Sequence, residues 1–195
     1  AFLNYNATTG GMNNLFYGID GPWALHTEYV IDSSGNLTVG DGKGTNQKGK
    51  QLAFGGLRMG GRSYYSLDLR SIDNPKLNFY ITPTGTCSST NPLGCMGQSW
   101  SKPALGYVNW NGKRTLVMFV GGGYDTGYET DSYNQINKKG AGVYMFNAED
   151  SVDKNGNTIK AGTLLWWSSA NASTSSTTTL PIGTNNADLK YSVVS

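Results

Sequence analysis

One histidine, His26, and two cysteines, Cys87 and Cys95, are the only imidazole and thiol side chains in this 195-residue chain. A His-based nucleophilic site therefore has little material, because neither cysteine has a second histidine to serve as its base. His26 is read as an ordinary strand residue. Charge is scarce too, at 14% of residues, and 15 basic against 13 acidic side chains leave a net charge of +2 spread along the chain. No basic footprint for nucleic acid follows from that distribution. No run approaches the roughly 18 apolar residues of a membrane-spanning helix. The opening Ala1-Phe2-Leu3-Asn4 lacks the charged-then-apolar order of a signal peptide, as expected of a mature or excised chain.

What the chain does have is glycine, 27 of them, and aromatics at 12%. That balance suits short strands and turns and predicts almost no helix. An all-β domain routinely reaches this length undivided, so a single β domain over residues 1–195 is expected. Its organising segment is Gly55-Gly56-Leu57-Arg58-Met59-Gly60-Gly61-Arg62-Ser63-Tyr64-Tyr65-Ser66-Leu67-Asp68-Leu69, two apolar runs joined by what reads as a four-glycine hinge permitting a tight reversal. An echo follows at Leu116-Val117-Met118-Phe119-Val120-Gly121-Gly122-Gly123-Tyr124 and Gly140-Ala141-Gly142-Val143-Tyr144-Met145-Phe146-Asn147-Ala148.

The strands expected in the first half span residues 23–31, 51–54, 63–69 and 76–81, with a long exposed loop over 32–50 and a turn at Asn74-Pro75. In the second half they span 104–110, 113–120, 143–148 and 162–167, and Asn111-Gly112 is the strongest hairpin signal in the chain. Pro22 recurs as Pro103 and Leu67 as Phe146 at nearly equal offsets. A four-stranded unit in tandem is the signature of a β-propeller. The expected fold is therefore all-β: a partial β-propeller of four-stranded antiparallel blades with long inter-strand loops, its blade-like units covering about 15–81 and 100–168. A propeller needs at least about four blades to close, so two make this a segment of a larger one. The tail over 171–176 reads as a loop, and 189–194 as the start of another strand.

Three motifs carry a family resemblance: residues 55–69 with Asn74-Pro75; Gly97-Gln98-Ser99-Trp100-Ser101-Lys102-Pro103; and Gly121-Gly122-Gly123-Tyr124-Asp125 ahead of Val143-Tyr144-Met145-Phe146-Asn147-Ala148. Tyr17-Gly18-Ile19-Asp20-Gly21 adds a fourth, looser match. In this order they resemble the C-terminal propeller of the PilC/PilY family of type IV pilus tip-associated adhesins. The resemblance implies a non-enzymatic extracellular protein at the pilus tip or outer membrane surface. It implies action with minor pilin subunits and with host or abiotic surfaces, in pilus assembly, attachment and twitching motility. Many members hold calcium in an aspartate-rich propeller loop. That loop is not complete in this sequence, so no cofactor is expected within the segment and calcium is assigned to an adjoining part of the parent protein. The Arg-Gly-Asp tripeptide of some relatives is absent.

Cys87 and Cys95 share a stretch rich in Ser, Thr, Asn, Pro and Gly, where a disulfide closing a small loop is favoured over two free thiols and over a metal site with distant His26. Asp153, Asn155 and Asn157 place oxygens at alternate positions, as the start of a calcium loop does, and are kept as the metal candidate. The later bidentate glutamate is missing, and Asn155-Gly156 reads more simply as a hairpin turn. Residues 44–50 match a phosphate-binding loop until Gln51 stands where Ser or Thr belongs, ahead of a strand and not a helix. Glu28 with Asp32, or Asp125 with Glu129 and Asp131, read as solvated loop carboxylates before an acid/base pair. Trp166-Trp167 and Tyr64-Tyr65 put one aromatic on each strand face, favouring blade packing over a sugar platform. Asn6-Ala7-Thr8, Asn36-Leu37-Thr38 and Asn171-Ala172-Ser173 fit the glycosylation tripeptide. Contact is expected through the loops at 32–50 and 124–140. The alternatives are a quinoprotein-like propeller dehydrogenase, holding a quinone and calcium, and a carbohydrate-binding module with exposed tryptophans.

Overall fold

The computed structural model describes residues 18–175 and 179–195. The expectations placed on 1–17, including the tripeptide at Asn6 and the start of the motif at Tyr17, and on Ser176, lie outside the described residues. Among the described residues, helix is confined to single 3-10 turns at Arg58–Gly60, Pro92–Cys95 and Thr126–Glu129.

The first half forms β1 (Trp23–Glu28), β2 (Val30–Ile31), β3 (Leu37–Thr38), β4 (Lys50–Gly56), β5 (Tyr64–Asp68) and β6 (Lys76–Ile81). The strands β1, β4, β5 and β6 lie side by side in that order as an antiparallel sheet, with β2 and β3 a small inserted hairpin. The second half forms β7 (Ala104–Trp110), β8 (Lys113–Gly121), β9 (Val143–Asn147), β10 (Ser151–Val152), β11 (Thr158–Ile159), β12 (Leu164–Ser169) and β13 (Ile182–Asn185). Here β7, β8, β9 and β12 repeat the antiparallel order, β13 joins β12 in parallel, and β10 with β11 makes a second hairpin. Asn111 and Gly112 both take positive φ, 50° and 80°, as the two-residue turn between β7 and β8 requires.

The sheets pack through a shared core. Leu52, Phe54, Tyr64, Phe79 and Ile81 from the first meet Leu116, Met118, Val120, Tyr144, Phe146 and Trp167 from the second. Period-two alternation selects these residues, because their neighbours on each strand face the other way. On the far side of the second sheet a smaller cluster gathers Val117, Met145 and Leu165 beneath Ile159, Trp166 and Leu180. The result is an all-β fold of several antiparallel sheets, none of which closes into a barrel among the described residues.

The two sheets repeat each other residue by residue. Gly56 faces Tyr64 as Gly121 faces Val143, and Ala53 faces Leu67 as Met118 faces Phe146. Each fourth strand carries a register shift at the same place, next to Leu77 in β6 and next to Leu164 in β12. The joints between units repeat as well. Ser99 N–H donates to Gly61 O (3.0 Å) and Arg58 N–H to Ser99 O (3.1 Å). Val193 N–H likewise donates to Gly140 O (2.9 Å), and Gly123 N–H to Val193 O (2.9 Å).

This joint explains a correction. Gly55 and Gly56 are not a hinge but the paired end of β4. Glycine is needed at 56 because a Cβ there would stand 2.3 Å from Ser99 O, just as one at Gly121 would stand 2.3 Å from Val193 O. Reversal is left to the 3-10 turn at Arg58–Gly60. Other boundaries shift more modestly. The expected strand at 23–31 breaks at Tyr29, and the expected loop at 32–50 contains β3 and an isolated Asp41–Lys48 bridge. The strand expected over 162–167 starts at Leu164 and runs to Ser169. Residues 189–194 form no strand, only the isolated Ala141–Ser192 bridge and the backbone bonds of the joint, whereas the added strand is β13.

Candidate functional site

Two groups of polar and aromatic side chains stand out, one between the sheets and one on the loops. The first is built by β1, β4 and β7. Tyr107 donates its hydroxyl proton to Glu28 Oε1. Lys50 Nζ lies 2.8 Å from Glu149 Oε1, 3.0 Å from the Tyr107 hydroxyl and 3.3 Å from Glu28 Oε2. His26 Nε2 is 3.0 Å from Glu28 Oε1, and the Arg114 guanidinium lies 3.4 Å from the centre of the Tyr107 ring. Burial works against ionisation of Glu28, but the hydrogen bonds from Tyr107 and His26 and the charge of Lys50 outweigh it and hold the carboxyl below its ordinary range. Burial likewise works against the Lys50 ammonium and is outweighed by bonds to Glu149 and Tyr107, so Lys50 titrates above its ordinary value. An ammonium held this firmly is neither base nor nucleophile at neutral pH. The group ties the two sheets together.

The second group is the loop between β8 and β9. Asp125 is buried, and its carboxylate accepts from Gly127 N–H (3.0 Å) and the Tyr133 hydroxyl (2.8 Å), pinning the 3-10 turn Thr126–Glu129. That bond pushes the Tyr133 phenol up to about 12. Trp100, Tyr124, Tyr128 and Tyr133 follow one another with ring centroids 5.3, 5.9 and 6.1 Å apart. Arg58 covers Trp100 at 4.4 Å, and Lys138 lies 6.0 Å from the Tyr133 ring. Beside this row a cavity of about 510 Å³ is lined by Thr86, Asp125, Tyr133, Asn137, Lys138 and Lys139, among others. Its opposite wall is the loop closed by the Cys87–Cys95 disulfide. Arg62 anchors that loop by donating to Met96 O and Gly94 O.

Asp153, Asn155 and Asn157 sit at the tip of the β10–β11 hairpin. Asp153 Oδ1 accepts from the Asn155 and Asn157 N–H groups (2.8 Å each), and its Oδ2 from the Asn157 side-chain amide (3.0 Å). Asn157 thus turns its nitrogen toward the aspartate. Among the described residues no group of three or more His, Cys, Asp or Glu side chains is placed to hold a metal. No described helix is long and apolar enough to cross a membrane. The other sequence candidates scatter. Asp32 folds back on Ser34 and Asn36 N–H in the β2–β3 hairpin, away from Glu28, while Asp131 and Glu129 remain exposed near Asp125. Of the five tryptophans Trp167 is buried and Trp23, Trp100, Trp110 and Trp166 are partly buried. Sequence reasoning named Glu28, as a solvated carboxylate paired with Asp32, and missed that it meets Lys50 and Tyr107, with Glu149 on the far side of Lys50.

No family model matches the chain, and no curated protein matches it either. Among solved structures it is similar to the C-terminal domain of Pseudomonas aeruginosa PilY1. The identity is 16% and the TM-score 0.39. The match covers 80% of this chain and 23% of that one.

Proposed function

We propose that this chain is part of a PilC/PilY-type adhesin: a non-catalytic, extracellular segment of a larger β-propeller acting at the pilus tip or outer membrane in attachment, pilus assembly and twitching motility. The observation that carries this reading is where the family-like motifs fall. Residues 55–62, 97–103 and 121–125 all meet at the joints between successive four-stranded sheets, so the residues that resemble the family are those a tandem-sheet architecture needs. Minor pilin subunits and a host or abiotic surface are the partners. Contact runs through the loop over 124–140, whose half-buried aromatic row is stiffened by Asp125 and offered beside Lys138 and Lys139. The turn at Asp153, Asn155 and Asn157 serves the hairpin, and calcium is bound in an adjoining part of the parent.

The test is replacement of residues 126–138 by a short Gly-Ser linker in the protein carried by piliated cells. Attachment is expected to fall several-fold with the protein still present on the surface. Deleting the whole chain should also reduce pili and twitching. Unchanged attachment, piliation and twitching after whole-chain deletion would refute the assignment.

A further inference from the structure

The first sheet has an outer face on which large apolar side chains are exposed. Two rows cross all four strands there: Leu25, Ala53, Leu67 and Leu77, and then Trp23, Gly55, Tyr65 and Tyr80. Neither row contains a charged side chain. Leu25 is 67% exposed, Leu77 55% and Tyr80 61%, which is a large apolar surface to leave in water.

The repeat identifies what this face is. In the pairing registers Leu25, Leu67, Leu77, Tyr65 and Tyr80 correspond to Leu105, Phe146, Leu164, Tyr144 and Trp167 of the second sheet. The chemistry corresponds too. Tyr65 stacks on Tyr80 at 6.4 Å and 27°, and Tyr144 stacks on Trp167 at 5.7 Å and 27°. Yet the second set lies in the core between the sheets, with Leu164 8% and Trp167 1% exposed, covered by the inner face of the first sheet. The sheets therefore stack head to tail. The face one unit turns toward its predecessor is buried in the second unit and bare in the first.

We infer that the outer face of the first sheet is an interface for a further four-stranded antiparallel sheet of the same repeat, within the parent polypeptide. The inference rests on the tandem-sheet part of the reading above and not on adhesion. That sheet presents toward Leu25, Leu77 and Tyr80 the pattern that Leu52, Phe54, Tyr64, Phe79 and Ile81 present toward the second sheet. A second copy of this chain stacking head to tail is the poorer fit, because the face it must offer already has Ile159 and Leu180 packed against it.

Hydroxyl-radical footprinting tests this on two samples, the isolated 195-residue chain and the parent protein taken from the cell surface. Leu25, Leu77 and Tyr80 should label several-fold faster in the isolated chain. Tyr29 and Leu37, exposed on and beside the β2–β3 hairpin, should label equally in both. L77K should leave the thermal midpoint of the isolated chain unchanged and restore Tyr80 labelling in the parent protein. Equal labelling of the face in both samples overturns the inference. So does protection in the isolated chain, whether it grows with concentration, as a second copy would make it, or is constant, as a cover within the 195 residues would make it. Attachment is not part of this readout, so failure of the adhesin reading and failure of this interface are told apart.

Discussion

Single residues fix the joints between the sheets, and the clearest are the two glycines that admit a neighbouring carbonyl. Gly56→Ala sets a methyl group against Ser99 O, and Gly121→Ala sets one against Val193 O, each a backbone atom that can move only with its segment. Forcing a methyl group into such a contact costs about 1–3 kcal/mol. Chemical denaturation should show Gly56→Ala destabilised by that amount, while alanine at Gly106, within β7 and with nothing within 4 Å of its Cβ position, stays close to wild type. The inter-sheet group gives a pH prediction. Glu28 titrates below the ordinary glutamate value in the folded chain, so its contribution is complete above that ordinary value and is lost as pH falls through the lowered one. Lys50, raised, contributes fully below the ordinary lysine value and loses its share only at strongly alkaline pH. Urea midpoints measured across the acid range should therefore fall less steeply in Glu28→Gln than in wild type. Some slope remains because Asp68 and Asp150 are also lowered, by their bonds to Arg70 and Lys160. Lys50→Met, which leaves two carboxylates facing each other, should cost about 1–2 kcal/mol, less than a fully buried pair because both ends keep some solvent.

At the scale of elements, the disulfide and the hairpins do different work. The Cys87–Cys95 bridge closes a short loop, for which the chain-entropy model gives about 2–3 kcal/mol. Cys95 also supplies the carbonyl that accepts Gly140 N–H, so this loop holds one end of the 124–140 loop. Replacing both cysteines by serine should lower the thermal midpoint and speed amide exchange at Gly140. Unaltered exchange there would mean the loops are independent. Asp153→Ala should speed exchange at the Asn155 and Asn157 amides, while millimolar calcium should leave wild-type exchange at those amides unchanged. Slowing by calcium would restore Asp153, Asn155 and Asn157 as ligands. Strands bounded by local turn chemistry were legible in the sequence. Ala104–Trp110 and Lys76–Ile81 stand where expected because Asn111-Gly112 and Asn74-Pro75 mark their ends. β13 was not legible, since Ile182–Asn185 is short and polar and owes its strand form to parallel pairing with β12. Gly55 and Gly56 misled because a glycine pair usually marks a turn, whereas here the demand comes from the Trp23 ring at Gly55 and from Ser99 at Gly56, both distant along the chain.

For the whole molecule, the tandem four-stranded unit was legible because each half carries its own alternation and its own glycines, all local signals. The inter-sheet group was not, because Glu28, Lys50, Tyr107 and Glu149 meet only once the sheets have packed, and nothing near any of them in sequence announces the others. The same packing decides how the molecule should unfold. Each sheet shares its larger apolar face with the other, and Tyr64, Phe54, Tyr144 and Trp167 are all buried in one cluster. Neither sheet can open without exposing half of that cluster, and the Lys50, Glu28 and Tyr107 contacts span the same boundary. The described sheets should therefore unfold in one cooperative step. Trp167→Ala, which removes the largest side chain in the core, should cost about 3–5 kcal/mol. It should shift the protection of β4 and β5 as far as that of β9 and β12 when amide exchange is followed strand by strand. Loss confined to β9 and β12, with β4 and β5 keeping wild-type protection, would mean that the first sheet is stable without the second and that the shared core does not couple them.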